Sequence, residues 1–162
     1  MNYLSPTIIL RHRRENLKKC SLRGLESRTD ILFFTYPREK LPDLSGYLFL
    51  TLNAPPLSKT DSNQGIFLID GTWRYTEIMT RQLPAFPLPL IPRSLPAGLK
   101  TAYPRRQEDC EDPERGLASI EALFAAYLIL ERDTEGLLMN YYWQNEFIKL
   151  NKDLLDFYNY KN

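Results

Sequence analysis

The sequence predicts an α/β protein, and three observations carry that reading. Short β-branched or aromatic runs recur early, at Thr7 to Leu10, Ile31 to Tyr36 and Tyr47 to Leu52, each bounded by Pro, Asp, Ser or Gly. Ile66 to Ile69 is a continuous apolar run, the pattern of a strand buried on both faces, and belongs at the centre of a parallel or mixed sheet. Residues 117–131 are apolar nearly all round, which predicts a helix covered on most of its faces. In such an architecture the functional crevice lies at the carboxyl ends of the strands.

The remaining elements follow in chain order. A basic run between the first two strands reads as loop and short helix, and Asn53-Ala-Pro-Pro-Leu57 and Ser62-Asn-Gln-Gly65 break the chain again. Thr72 to Leu83 is helix-compatible, with Thr72 as a possible N-cap and Trp73, Ile78 and Met79 spaced as a buried stripe. Prolines at 84, 87, 89, 92, 96 and 104 forbid a helix through the next stretch, while leaving room for a short strand near Leu88 to Ile91. The tail from Thr134 to Tyr158 reads as helical, with Leu138, Tyr142, Phe147, Leu150, Leu154 and Phe157 on the face that returns to the sheet.

A chain of 162 residues, 43% hydrophobic and 25% charged, fits one compact domain or two small lobes sharing a core. The longest apolar stretch, Leu123 to Leu130, is too short to cross a bilayer, and no signal-peptide pattern precedes it, so a soluble cytoplasmic protein is expected. Two cysteines, Cys20 and Cys110, and one histidine, His12, cannot supply a four-ligand zinc site or a disulfide scaffold, so metal chemistry is not expected. His12 sits in the basic run and reads as solvated.

The net charge is only +1, but it is unevenly distributed. Arg11, Arg13, Arg14, Lys18, Lys19, Arg23 and Arg28 face only Glu15 and Glu26 within residues 11–28, whereas residues 108–114 are strongly acidic. Charges are screened over about 8 Å at physiological salt, so a local basic patch can bind RNA phosphates whatever the global sum. The competing reading is a solvated charged face.

The sharpest local feature is Leu68-Ile69-Asp70-Gly71-Thr72-Trp73, where a carboxylate, a glycine and a tryptophan cluster as a buried strand opens into a helix. Gly71 permits close approach of a ligand, the helix start offers free N–H groups, and Trp73 offers a flat wall. The bland reading is an Asp capping the helix beside a core Trp. Glu121, alone on an apolar helix, must be hydrogen-bonded, and holding a loop through backbone N–H groups is the favoured role. Of Tyr141, Tyr142 and Trp143, which could stack on bases, at least one must face the core.

Several motifs occur in a particular order: Lys18-Lys19-Cys20-Ser21 with Leu25, Pro56-Leu57-Ser58 with Asp61, Asp70-Gly71-Thr72-Trp73, Arg93-Ser94-Leu95-Pro96, Ala102-Tyr103-Pro104, Leu117 through Leu123, and Trp143 through Asn151. This set resembles the ribosome-biogenesis aminocarboxypropyltransferases of archaea and eukaryotes, and its Asp-x-Thr-Trp core is similar to the DTW-domain family that modifies tRNA uridine. The chain departs from the family pattern at Ala102-Tyr103-Pro104-Arg105-Arg106, in the acidic insertion that follows, and at Ala118, where a Ser or Thr is usual. The resemblance implies a SPOUT-like fold with a C-terminal trefoil knot, with residues 1–64 forming a small β-rich lobe that carries the RNA-facing run and residues 65–162 the cofactor-binding domain.

The resemblance further implies S-adenosylmethionine as cofactor and RNA as partner, rRNA ahead of tRNA, for a protein acting as a monomer. Ser21, Ile69, Asp70, Thr72, Trp73, Leu95, Leu117, Ala118 and Ser119 would then surround the cofactor, and Arg11, Arg13, Arg14, Lys18 and Lys19 would contact RNA. To transfer the aminocarboxypropyl arm, a site must cover the methyl group and expose the methionine Cγ to a ring nitrogen. Trp73 suits that wall, and Asp70 is the candidate catalytic residue, as base or as anchor of the amino group. The rival readings are a SPOUT-type methyltransferase and a non-catalytic RNA-binding assembly factor.

Overall fold

A computed structural model describes residues 4–82, 89–104 and 116–160. Five strands form one wholly parallel sheet: β1 (Thr7–His12), β2 (Ile31–Tyr36), β3 (Leu48–Leu50), β4 (Ile66–Asp70) and β5 (Ile91–Arg93). Their spatial order is β2-β1-β4-β3-β5, which puts β4 at the centre as its unbroken apolar run requires. Because β4 pairs with β1 on one side and β3 on the other, residues before and after position 64 share hydrogen-bonded strands.

Alternate residues of the central strands enter two cores. Ile9, Ile66 and Leu68 join the larger cluster, where they meet Ile120, Leu123, Phe124 and Tyr127 of α2 (Ser119–Ile129), Phe147 of α3 (Gln144–Leu150) and Leu155 of α4 (Lys152–Phe157). Ile8, Leu10, Phe67 and Ile69 join the smaller cluster, with Leu41, Leu44 and Met79 of α1 (Trp73–Arg81). The sheet is thus covered on both faces, and each fully buried Ile, Leu or Phe contributes about 1.5–3 kcal/mol. No helix among the described residues is long and apolar enough to cross a membrane.

Several local expectations change. Residues 117–131 are helical only over Ser119–Ile129, because Glu131 turns into the left-handed region at φ 57°. In α1, Met79 is fully buried but Ile78 is largely exposed; the side chain of Trp73 and all of Leu83 lie outside the described residues. The tail is not one helix. It makes turns through 135–140 and then two short helices that meet at Asn151, whose side-chain oxygen accepts the Lys100 N–H and whose amide donates to the carbonyls of Lys100 and Phe147. Its buried face is accordingly Leu138, Tyr141, Phe147 and Leu155, whereas Tyr142, Leu150 and Phe157 face solvent.

His12 is not solvated. It ends β1 with 8% exposure, stacks on Tyr75 at 3.9 Å between ring centroids, and accepts the Arg14 N–H at Nδ1. Burial, followed by the charges of Arg13 and Arg14, lowers its pKa below the usual histidine value.

Candidate active site

A cleft of about 1280 Å³ opens at the carboxyl ends of the strands. Single-ligand pockets typically span roughly 300–1,000 Å³, so this one has room for a cofactor with a second reactant beside it. Its apolar walls include Leu50 at the end of β3, Leu68 and Ile69 of β4, Leu95 and Leu99, and Leu117, Ala118 and Ala122 around the start of α2. Polar groups enter from Glu15, Lys19, Cys20 and Ser21 after β1, from Asp70 at the end of β4 and Thr72 after it, and from Arg74 and Arg81 on α1.

The wall carrying Leu95 is built by two separated motifs. Asp61, 5% exposed, accepts the Arg93 Nε–H at 3.1 Å, Ser94 donates its hydroxyl to the Ala54 carbonyl, and the Leu57 N–H bonds the Ser94 carbonyl. Pro56-Leu57-Ser58 with Asp61 and Arg93-Ser94-Leu95-Pro96 therefore form one unit whose product is the placement of Leu95 and Pro96.

The opposite wall depends on Glu121, which is fully buried and accepts from the Ala118 N–H at 2.7 Å, the Ala102 N–H at 2.8 Å, the Thr101 hydroxyl at 2.6 Å and the Tyr141 hydroxyl at 3.1 Å. Four donors on one carboxylate satisfy it and pin the 101–103 loop to the start of α2. The structural role expected from the sequence is the one observed. Ser21 closes the same helix start, its Oγ accepting the Ile120 N–H at 3.2 Å.

Asp70 is 4% exposed and does not cap α1. Thr72 occupies the N-cap position without a side-chain cap bond, and the Asp70 oxygens turn elsewhere. Oδ1 accepts the Ser119 hydroxyl at 2.9 Å; Oδ2 accepts the Cys20 thiol at 3.0 Å and Arg11 Nε at 3.3 Å. The pairing with Arg11 follows from register, since Arg11 and Asp70 are partners on adjacent parallel strands. Burial, the Asp70 charge and its hydrogen bond push the Cys20 thiol up to about 12, so Cys20 is a proton donor here and not a nucleophile.

Arg11 thereby leaves the group of RNA-facing cations. Only 8% exposed, it pairs with Asp70 and with Glu26 at 3.2 Å, and its guanidinium lies 4.3 Å from the Phe33 ring centre. A guanidinium engaged on these sides is not available to phosphate. Arg13, Arg14, Lys18 and Lys19 are exposed as expected, and Lys19 reaches the cleft.

Of the remaining expected contacts, Ser21, Ile69, Asp70, Thr72, Leu95, Leu117, Ala118 and Ser119 all line the cleft, while the Trp73 indole lies outside the described side chains. Glu15, Arg74 and Arg81 are cleft residues that sequence reasoning missed. Arg74 and Arg81 follow the Asp-Gly-Thr-Trp turn on the same helix, a signal that was available. Glu15 had none, since it stands in the basic run and reads there as a counter-charge. Glu15, Cys20 and Asp70 place ligand-type atoms within 4.8 Å of one another, but Asp70 is committed to Arg11 and the thiol retains its proton, so the set is a poor metal-ion site.

The fold and cleft can be set beside known proteins. No curated protein matches the sequence significantly. The structure is similar to that of the SAM-dependent rRNA:acp-transferase Tsr3 from Vulcanisaeta distributa, with a TM-score of 0.70 and 23% identity over 96% of this chain and 83% of that one. Residues 50–162 match the family described as "Ribosome biogenesis protein, C-terminal". Most of the chain lies within that match, including β4, the Asp70 turn and α2, and the chain belongs to this ribosome-biogenesis family.

Proposed function

We propose that this protein transfers the 3-amino-3-carboxypropyl group of S-adenosylmethionine to a uridine or pseudouridine base of small-subunit rRNA, releasing methylthioadenosine. The observation that carries the proposal is the cleft at the strand ends, with apolar walls and a charged floor, in a fold shared with an enzyme of that description. S-adenosylmethionine supplies a sulfonium with three electrophilic carbons, and the geometry of binding selects which one is presented.

The chain's own residues would divide the work by position. Ile69, Leu95, Leu117 and Ala118 form the apolar seat for adenosine, and Ser21, Thr72 and Ser119 border it; Trp73, next after the turn in the sequence, is the candidate wall against the methyl group. Asp70 acts as a positioning residue, because its hydrogen bonds hold Arg11, Cys20 and Ser119 in one arrangement at the cleft floor. Arg13, Arg14, Lys18 and Lys19 supply exposed positive charge for RNA phosphates, and of these Lys19 lines the cleft together with Arg74 and Arg81.

The same reading includes a SPOUT-like trefoil knot in the C-terminal part, supported by the grip of Asn151 and Glu121 on residues 100–102. Functionally, residues 1–64 bring the RNA-facing run and 65–162 most of the cofactor seat. In this reading the protein acts in the cytoplasm without a metal and as a monomer, the last supported by an apolar helix, α2, that is covered within its own fold.

The test is product identity. Purified protein with S-adenosylmethionine and rRNA should release methylthioadenosine, whereas S-adenosylhomocysteine would mark a methyltransferase. Trp73→Ala should weaken cofactor binding roughly ten- to a hundredfold, as loss of a wall contributing about 1–3 kcal/mol implies. Unchanged affinity in calorimetry would remove Trp73 from the site.

A further inference from the structure

Three carboxylates line the cleft among the described residues, and they differ in what they still lack. Asp70 already accepts from Ser119, Cys20 and Arg11. Glu77 pairs with Arg81 one turn along α1. Glu15 has an oxygen, Oε2, that is closed to water and has no hydrogen-bond donor. A buried carboxylate oxygen without a donor is costly, and the cost is relieved when a ligand brings one.

We propose that Glu15 holds the α-ammonium of the cofactor's methionine arm, making it the residue that distinguishes ligands carrying the arm from those lacking it. The inference rests on the cofactor reading above and moves the anchoring of the amino group from Asp70 to Glu15. The position suits the task. Glu15 follows the end of β1, its carboxylate lies within 4.8 Å of the Asp70 carboxylate and the Cys20 sulfur, and the backbone of Thr72, at the turn after β4, acts against the rise in its pKa.

Electrostatics point the same way. Burial first, and the Asp70 charge second, raise the Glu15 pKa against the opposing pull of Arg11. Arg11 is already shared between Asp70 and Glu26, so the Glu15 charge is not balanced by it, and an entering ammonium supplies positive charge as a charge-assisted donor. Lys19 and Arg74 also line the cleft and are placed for anionic groups.

Calorimetry with three ligands tests this. S-adenosylmethionine has the ammonium and a sulfonium, S-adenosylhomocysteine has the ammonium alone, and methylthioadenosine has neither. Glu15→Gln should weaken the first two by about tenfold or more and change the third by less than about twofold. Equal losses for all three ligands, or no loss for any, would overturn the assignment. A loss confined to S-adenosylmethionine would overturn it too, by pointing to the sulfonium. Glu15→Asp should recover part of the loss if charge is what matters, and thermal unfolding verifies that each variant is folded. Wild-type protein that binds none of the three ligands would overturn the cofactor reading itself, a result distinct from normal wild-type binding with an unaffected Glu15→Gln variant.

Discussion

Replacing Asp70 by Asn tests the buried network at the cleft floor. The substitution keeps the shape and removes the charge. Asp70 is 5% and Arg11 10% exposed at the side chain, so the guanidinium would keep its bond to Glu26, whose side chain is 47% exposed, a long contact to the Cys20 sulfur and the face of Phe33. Removing one partner of a buried pair costs about 3–5 kcal/mol when the remaining charge is stranded. Glu26 retains part of the interaction, so the expected loss is roughly 2–4 kcal/mol. Each kcal/mol moves the midpoint by about 2–4 °C in a protein of this size, so thermal unfolding should shift down by roughly 4–16 °C. Arg11→Met in the Asp70→Asn background removes the stranded charge and should recover part of the loss, with a coupling of about 1.5 kcal/mol or more in the double-mutant cycle. A helix-capping Asp70 would behave differently, since Asn caps nearly as well and the loss would stay within about 1 kcal/mol. Additive single-mutant effects, or an Asp70→Asn protein as stable as wild type, would refute the buried pair.

Charge reversal at Arg13, Arg14 and Lys18 should reduce the salt dependence of RNA binding by about one unit of slope per lost phosphate contact in filter-binding titrations, while leaving cofactor affinity unchanged. Glu121→Ala strands the donors of Ala118, Ala102, Thr101 and Tyr141, and should cost about 3 kcal/mol or more, with hydrogen-exchange protection lost at the Ala102 amide. The pKa of Glu15 is raised in the fold, chiefly by burial, so the folded state holds this proton to higher pH than the unfolded chain and the group penalises folding above its folded pKa. Glu15→Gln should therefore be more stable than wild type at pH 8, the difference shrinking as pH falls toward the unfolded glutamate value near 4.3. The lowered pKa of His12 acts with the opposite sign: its contribution is present above about pH 6.5 and is lost as pH falls through the folded value, and His12→Phe should flatten that part of the stability curve.

Elements in a uniform environment could be read from the residue pattern. Ile66 to Ile69 had to be a central strand because all of its side chains are apolar, and residues around 120–129 had to be a covered helix for the same reason. Glu121 was legible as a loop holder because an isolated carboxylate in an apolar helix must find donors. That the turn at Asp70-Gly71-Thr72 lines a cleft at the strand ends was legible from strand, glycine and helix in succession.

Only the tertiary structure decided the polar partnerships. Arg11 and Asp70 are 59 residues apart, and nothing short of the β1–β4 register puts one beside the other. The same register turned an apparent RNA contact into a buried ion pair, His12 into a ring stacked on Tyr75, and Glu15 into the cleft carboxylate with an unmet acceptor. Apolar burial follows from patterns within a few residues. The fate of a charge depends on which distant donors and acceptors the folded sheet brings within about 3 Å, which is a property of register and chain crossing that local sequence does not encode.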